Sequence, residues 1–334
     1  MPLVRALADP PGTAALDGAG WTALITIARA EQLLGSLAYR LEGRPMPGAA
    51  AAILADARRS AEQQQVQALW EAEMARRALA PLGVPVVLLK GTAFAAAKLP
   101  PSIGRSIGDL DILVPRESLD AVEAALIAAG WKWVKDDAYT LHYYKQWMHE
   151  LPPLIHRERD RMIDVHHTIL PLTARPTPDA AALIADSVAL ESGLRILSPA
   201  DIIVHAAVHL FADGDLAGGL RNLWDIDRLL RSSDAHAGFW SALAARAERH
   251  GVTAAVAHAA RQANALYATP IPREWMKWSP FDAWSRRRLL ARDGWGRARR
   301  PVTRLAFYAR SHWLRMPPAM LARHLWIKAR DRRG

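Results

Sequence analysis

Apolar and polar residues change their rhythm twice along the chain. From residue 13 to 42, Leu16, Leu24, Ile25, Ala28, Leu33, Leu34 and Leu37 recur at helical spacing and predict one or two helices. Residues 48–80, rich in Ala, Gln, Glu and Arg, predict a longer helix that stops at Pro81 and Gly83. The period then shortens. VPVVLLK (84–90) is an apolar, β-branched run that predicts a buried strand. Gly91-Thr92 breaks it, TAFAAAKL predicts a helix, and Pro100, Pro101, Gly104 and Gly108 predict a loop. DLDILV (109–114) predicts a second strand, and Ser118 caps a helix that ends at Gly130. WKWVKD (131–136), TLHYYKQWMHEL (140–151) and RMIDVHHTI (161–169) are expected to be the remaining strands. Beyond Pro171 the rhythm is helical again, over 198–211, 218–232, 239–251 and 252–268, with no internal repeat. The pattern predicts an α+β fold with a small mixed sheet flanked by helices and a mostly helical C-terminal domain. The expected divisions are a helical segment at 1–81, an α/β core at 82–170, a helical domain at 171–285 and a tail at 286–334.

Composition narrows the class. Of 334 residues, 51% are hydrophobic and 23% charged, which suits a chain with a substantial core. There is no cysteine, so disulfides and thiolate metal sites are excluded. The N-terminus lacks the basic and apolar runs of a secretory signal, and no apolar stretch is long enough to span a bilayer. A cytoplasmic location is therefore expected. Charge is unevenly distributed. Residues 286–334 hold fifteen of the 43 Arg and Lys but two of the 33 Asp and Glu, so this segment carries +13, against +10 for the whole chain and −3 for the rest.

The chemistry begins with carboxylates in apolar strands. Strand alternation turns Asp109 and Asp111 to one face and Leu110 and Ile112 to the other. Two like charges on one face call for a compensating cation. Asp164, between Ile163 and Val165, is a third carboxylate in an apolar strand, and the three converge if the strands are neighbours. Hard oxygen ligands on rigid strands suit Mg²⁺, and two such ions about 4 Å apart clamp an in-line phosphoryl or nucleotidyl transfer. Upstream, LLKGT runs from a strand through a glycine into a helix, a natural seat for phosphate. Gly91 lets phosphate approach the backbone, Thr92 adds a hydroxyl, and Lys90 and Arg105 are electrostatic partners for a triphosphate.

Strand, KG, helix, then R-x-x-x-D-x-D-I-L-V and I-D-V-H together resemble the nucleotidyltransferases of the DNA polymerase β superfamily. The likeness is greatest to an uncharacterised bacterial branch with KG, DxDLLV and DVH motifs, and runs from about residue 15 to 235. The resemblance maps Gly91-Thr92 onto the superfamily's Gly-Ser pair, Asp109 and Asp111 onto its acidic pair, and Asp164 onto its third acid. Threonine replaces serine here, and the interval from Gly91 to Asp109 is longer. It implies a nucleotidyltransferase core at 82–170 that uses two Mg²⁺ ions on Asp109, Asp111 and Asp164. Such an enzyme would move NMP, with AMP preferred, from an NTP such as ATP to a small molecule, peptide, protein or RNA. Residues 171–285 would then cover the cleft and select the acceptor.

Blander readings stand beside these. Lys90 ends a strand and can simply be solvated, and Arg105 can pair with Asp109. His166 shares the face of Asp164 and is open as a substrate contact, although strand histidines are more often structural. His205 and His209 have metal-ligand spacing on a helix, but no third ligand is evident and packing is the expected role. Asp225 and Asp227 mimic DxD on a helix, where they diverge, and are expected to pair with Arg221 and Arg228. The tail, with Trp295, Trp313 and Trp326 among its basic residues, suits a polyanion, the anionic inner membrane surface or plain solvent. The rival to an enzyme is a non-catalytic module of the same fold that binds nucleic acid or membrane through this tail.

Overall fold

A computed structural model describes residues 1–315 and residue 321. The N-terminal third is helical: α1 (Pro2–Ala8), α2 (Gly18–Ala30), α3 (Leu34–Arg40) and the 32-residue α4 (Gly48–Leu79). α4 buries Leu54, Ala61, Ala68, Ala72, Ala75 and Leu79, a stripe at helical spacing, while Gln64 and Gln67 on another face border a cleft.

The α/β unit follows as β1 (Val87–Leu88), α5 (Lys90–Ala96), β2 (Leu110–Leu113), α6 (Leu119–Ala128), β3 (Trp131–Trp133), α7 (Ala138–Trp147), β4 (Leu154–His156) and β5 (Met162–His166). Next come α8 (Ala180–Ala185), β6 (Val188–Ala189), β7 (Arg195–Ile196), α9 (Pro199–Val208) and a π-helical turn (His209–Asp213). The described residues end with α10 (Gly219–Ser233), α11 (Phe239–Arg249), α12 (Thr253–Tyr267), α13 (Pro280–Leu289) and α14 (Pro301–Arg315). The expected α+β class is the observed one.

The seven strands of the described residues form one mixed sheet in the order β3-β4-β5-β2-β1-β7-β6. β2 lies parallel to β5 and antiparallel to β1. All four β2 residues are buried, and Leu110, Ile112, Ile163 and Val165 lie in the core, so apolar packing fixes the pair on the face opposite the carboxylates. The loop leading into β2 is fixed by a backbone crossing. A Cβ on Gly35 would lie 2.4 Å from the carbonyl oxygen of Gly104, which has φ +67°, so only two glycines permit this approach.

Three expectations change. The aromatic run at 140–151 is mostly helix, not strand: Tyr143 and Trp147 stack edge-on at 5.7 Å, four residues apart, as one helix face allows. β4 was hidden by Pro152-Pro153, although its Leu154 is fully buried. The region after Pro171 contributes β6 and β7, and β7 extends the sheet by pairing parallel to β1.

The described part of the basic segment packs on the body. Phe307 of α14 is fully buried with its ring 4.2 Å from Trp284, and Arg310 lies over Phe281 at 4.5 Å. Arg292 Nε donates to Glu31 Oε1 at 2.6 Å. Trp295 and Trp313 are exposed, and Trp326 falls outside the described residues. Among the described residues no helix is long and apolar enough to cross a membrane.

Candidate functional site

The parallel pairing of β2 and β5 puts Asp111 directly beside Asp164, and Asp109 precedes β2 on the same side. Carboxylate oxygens of Asp109, Asp111 and Asp164 lie within 4.8 Å of one another. Asp111 is 2% exposed. Lys90 Nζ donates to its Oδ1 at 2.6 Å, and His166 Nε2 lies 3.1 Å from the same oxygen. Burial alone would raise the Asp111 pKa, but Lys90 and His166 outweigh it and hold the carboxyl well below its usual range. For Lys90, burial opposes the charge, yet Asp111 holds the ammonium above its usual range.

Asp164 has the opposite balance. Burial, then Asp111 and Glu150, push it up to about 7, and its Oδ1 is buried without a hydrogen-bond partner. The three carboxylates are thus short of positive charge, and their hard oxygen donors fit a divalent cation of the magnesium class.

Lys90 also begins α5 in a left-handed conformation, φ +48°, unfavourable for a residue with a Cβ. The strain is held where the strand turns into the helix and the side chain reaches Asp111. Gly91 follows, buried beneath Arg105: a Cβ there would lie 2.0 Å from the Arg105 Nη1. Arg105 is itself buried, and its Nε donates to Asp225 Oδ2 at 2.9 Å, so its partner is Asp225 and not Asp109. The loop carrying it packs against α10. Thr92 is 1% exposed and its Oγ1 has no hydrogen-bond partner.

Asp227, also on α10, is fully buried and accepts from Arg228, as expected, and in addition from Arg231 Nε at 2.8 Å and from Thr269 Oγ1 at 2.6 Å. Each carboxylate of the helical DxD therefore ties α10 to a different neighbour. His205 and His209 approach the site from behind. Both line a small cavity shared with Lys90, Arg105 and Arg221. Burial, with Lys90 next, holds His205 well below its usual range and pushes His209 down to about 3, so both are neutral.

Reading the sequence misses three residues of this neighbourhood. His149 and Glu150 follow α7 and reach His166, with Glu150 Oε2 3.4 Å from His166 Nδ1. Tyr144, on α7, is pushed up to about 12 by burial and then by Glu150 and Asp164. Their signal was the His-Glu pair itself, obscured by assigning 140–151 to a strand. In front of Asp109 opens a cleft of about 970 Å³, bordered by Gln64, Gln67, Ser106, Arg161 and Arg221.

A mixed sheet that gathers three carboxylates from two adjacent parallel strands, beside a strand–glycine–helix turn and an open polar cleft, has the parts of a nucleotide-handling enzyme. Residues 17–268 match the family described as Uncharacterised nucleotidyltransferase. The chain belongs to that family. No curated protein matches the chain.

Proposed function

We propose that this nucleotidyltransferase is of the DNA polymerase β type and moves an NMP, AMP in the first instance, from an NTP to a hydroxyl or phosphate of an acceptor, with release of pyrophosphate. The observation that carries the reading is the carboxylate cluster. Asp109, Asp111 and Asp164 are held together on the sheet with too little positive charge, and Asp164 is pushed up to about 7. These three residues would hold Mg²⁺. When bound, the metal would neutralise the triphosphate and the charge that develops on the transferred phosphoryl group.

The chain's own groups supply the rest of the reading. Lys90 orients Asp111 through its 2.6 Å bond and keeps a cation at the head of α5. Gly91 and Thr92 seat the β- and γ-phosphates at that turn. Arg105, tied to Asp225, is a positioning residue that packs against Gly91. Asp164, with its unpartnered oxygen, takes the acceptor's proton. The cleft before Asp109 is of a size that takes a nucleotide and part of an acceptor, and Arg161 and Arg221 offer charge to phosphate there. In the same reading residues 82–170 carry the chemistry and 171–285 select the acceptor.

The test is incubation of the full chain with α-labelled NTPs, Mg²⁺ and pooled metabolite, peptide and RNA acceptors. Metal-dependent transfer of label with equimolar pyrophosphate, lost in Asp111→Asn, is expected. Release of labelled nucleoside diphosphate in place of pyrophosphate would overturn the reading.

A further inference from the structure

The segment between α7 and β4 brings two more ligating side chains to the sheet. Leu151 N donates to Val165 O at 2.8 Å, His167 N donates to His149 O at 2.9 Å, and Glu150 faces His166 in an isolated antiparallel bridge. These ties hold His149 and Glu150 against the end of β5. Glu150 Oε2 lies 3.4 Å from His166 Nδ1 and 3.8 Å from His149 Nε2, and the two rings are 5.2 Å apart. One ligating atom from each residue lies within 4.8 Å of the other two.

Proton positions decide what this arrangement lacks. His166 Nε2 sits 3.1 Å from Asp111 Oδ1. An ionised carboxylate only accepts, so Nε2 carries the proton in that contact. In a neutral ring this leaves Nδ1 as a bare lone pair, facing a second acceptor, Glu150. Nδ1 is buried without a hydrogen-bond partner on a side chain 3% exposed. The unpartnered Nδ1 stands 3.4 Å from Glu150 Oε2, a spacing that a shared cation would fill.

The dimensions suit a metal ion. Nitrogen and oxygen ligands of a tetrahedral zinc-class ion lie about 2.0–2.2 Å from it, hence about 3.3–3.6 Å from one another. The 3.4 Å separation falls in that range and the 3.8 Å separation just outside it. A ligating histidine is ordinarily oriented by donating its other ring N–H to a carboxylate, as His166 does to Asp111.

We propose that His149, Glu150 and His166 form a binding site for a borderline divalent cation, Zn²⁺ or Co²⁺ in class, distinct from the all-carboxylate site of Asp109, Asp111 and Asp164. The two donor sets sort metals by chemistry: imidazole favours zinc-class ions, carboxylates favour magnesium-class ions. Three protein ligands leave a fourth position for water or an acceptor group. Asp111 belongs to both sites, lining one and orienting His166 in the other. The rival occupant is a proton, which would make His166 an imidazolium bridge.

The test uses the full chain, stripped with a chelator and titrated with Co²⁺ alone, and reads visible absorption and metal per chain. One Co²⁺ should bind with the intense band of a four-coordinate site, resist excess Mg²⁺, yield to equimolar Zn²⁺ and persist in Asp109→Asn. His149→Ala and Glu150→Gln should each abolish the band and weaken Zn²⁺ by more than about 100-fold, beyond the loss seen when outer partners are removed. Glu150→Gln, nearly isosteric, carries the test if His149→Ala fails to fold. Absence of a stoichiometric band in the intact chain would favour the proton and overturn the site. So would a band that survives Glu150→Gln or disappears in Asp109→Asn. None of these readouts depends on nucleotidyl transfer.

Discussion

Asp111 and Asp164 are register partners on adjacent strands, yet their surroundings treat them oppositely. Lys90 and His166 both reach Asp111, whereas Asp164 keeps a buried oxygen without a partner. Two outcomes follow at this scale. Asp164→Ala should lower kcat by about 10²–10⁴-fold, the range of a lost general base, with little change in NTP affinity. Single-turnover kinetics beside equilibrium nucleotide binding would check it, and equal losses in both would assign Asp164 to the nucleotide seat. The second outcome concerns metal-free stability. A carboxyl raised from 3.8 to about 7 on folding destabilises the fold fully above pH 7 and not at all below its unfolded pKa. Asp164→Asn should therefore raise the Tm in chelator at pH 8, by an amount that shrinks as pH falls to 5. An unchanged Tm at pH 8 would show that the carboxylate is well compensated without metal.

At the scale of elements, α5 is a short helix whose first residues do several tasks at once. Lys90 accepts an unfavourable φ to reach Asp111, and Gly91 leaves room for Arg105. Gly91→Ala would put a methyl where the Arg105 guanidinium lies and strain its 2.9 Å bond to Asp225. We expect a loss of about 1–3 kcal/mol, typical of overpacking, in urea denaturation. Wild-type stability in this variant would mean that Arg105 moves freely and is not a positioning residue. α14 has a similar structural role for the basic segment, because Phe307 is fully buried against Trp284. Phe307→Ala should cost about 3–5 kcal/mol. A surface-like effect below about 0.5 kcal/mol would return 286–315 to the status of an appendage.

Across the whole molecule, buried histidines set the acid limit. Burial pushes His167 and His258 down to about 4 and His209 to about 3, against 6.5 for an ordinary histidine. His258 resists protonation although Asp282 lies 2.5 Å from its Nδ1, because desolvation outweighs the carboxylate. Their contribution to stability is full above pH 6.5. It is lost as pH falls toward 4, since the unfolded chain binds those protons first. Urea midpoints should fall steadily from pH 6.5 to 4. A flat profile there would mean that these rings are protonated in the fold. Asp164 acts in the reverse direction, so the fall should be steeper in Asp164→Asn.

The α+β class, the long helix at 48–79 and the three carboxylates could be read from residues alone. Each is a local pattern: helical or alternate spacing, and charge where an apolar strand should have none. His149 and Glu150 could not be read, because the aromatic run before them fits either period and only packing made it helical. The partner of Arg105 and the distant partner of Asp227 were equally out of reach. Arg105 meets Asp225 across 120 positions of sequence, and Asp227 meets Thr269 across 42. Sequence determined which residues can carry charge or bind a cation. The tertiary structure decided which of them meet, since strand register, helix crossings and burial set the distances and the dielectric on which pairing depends.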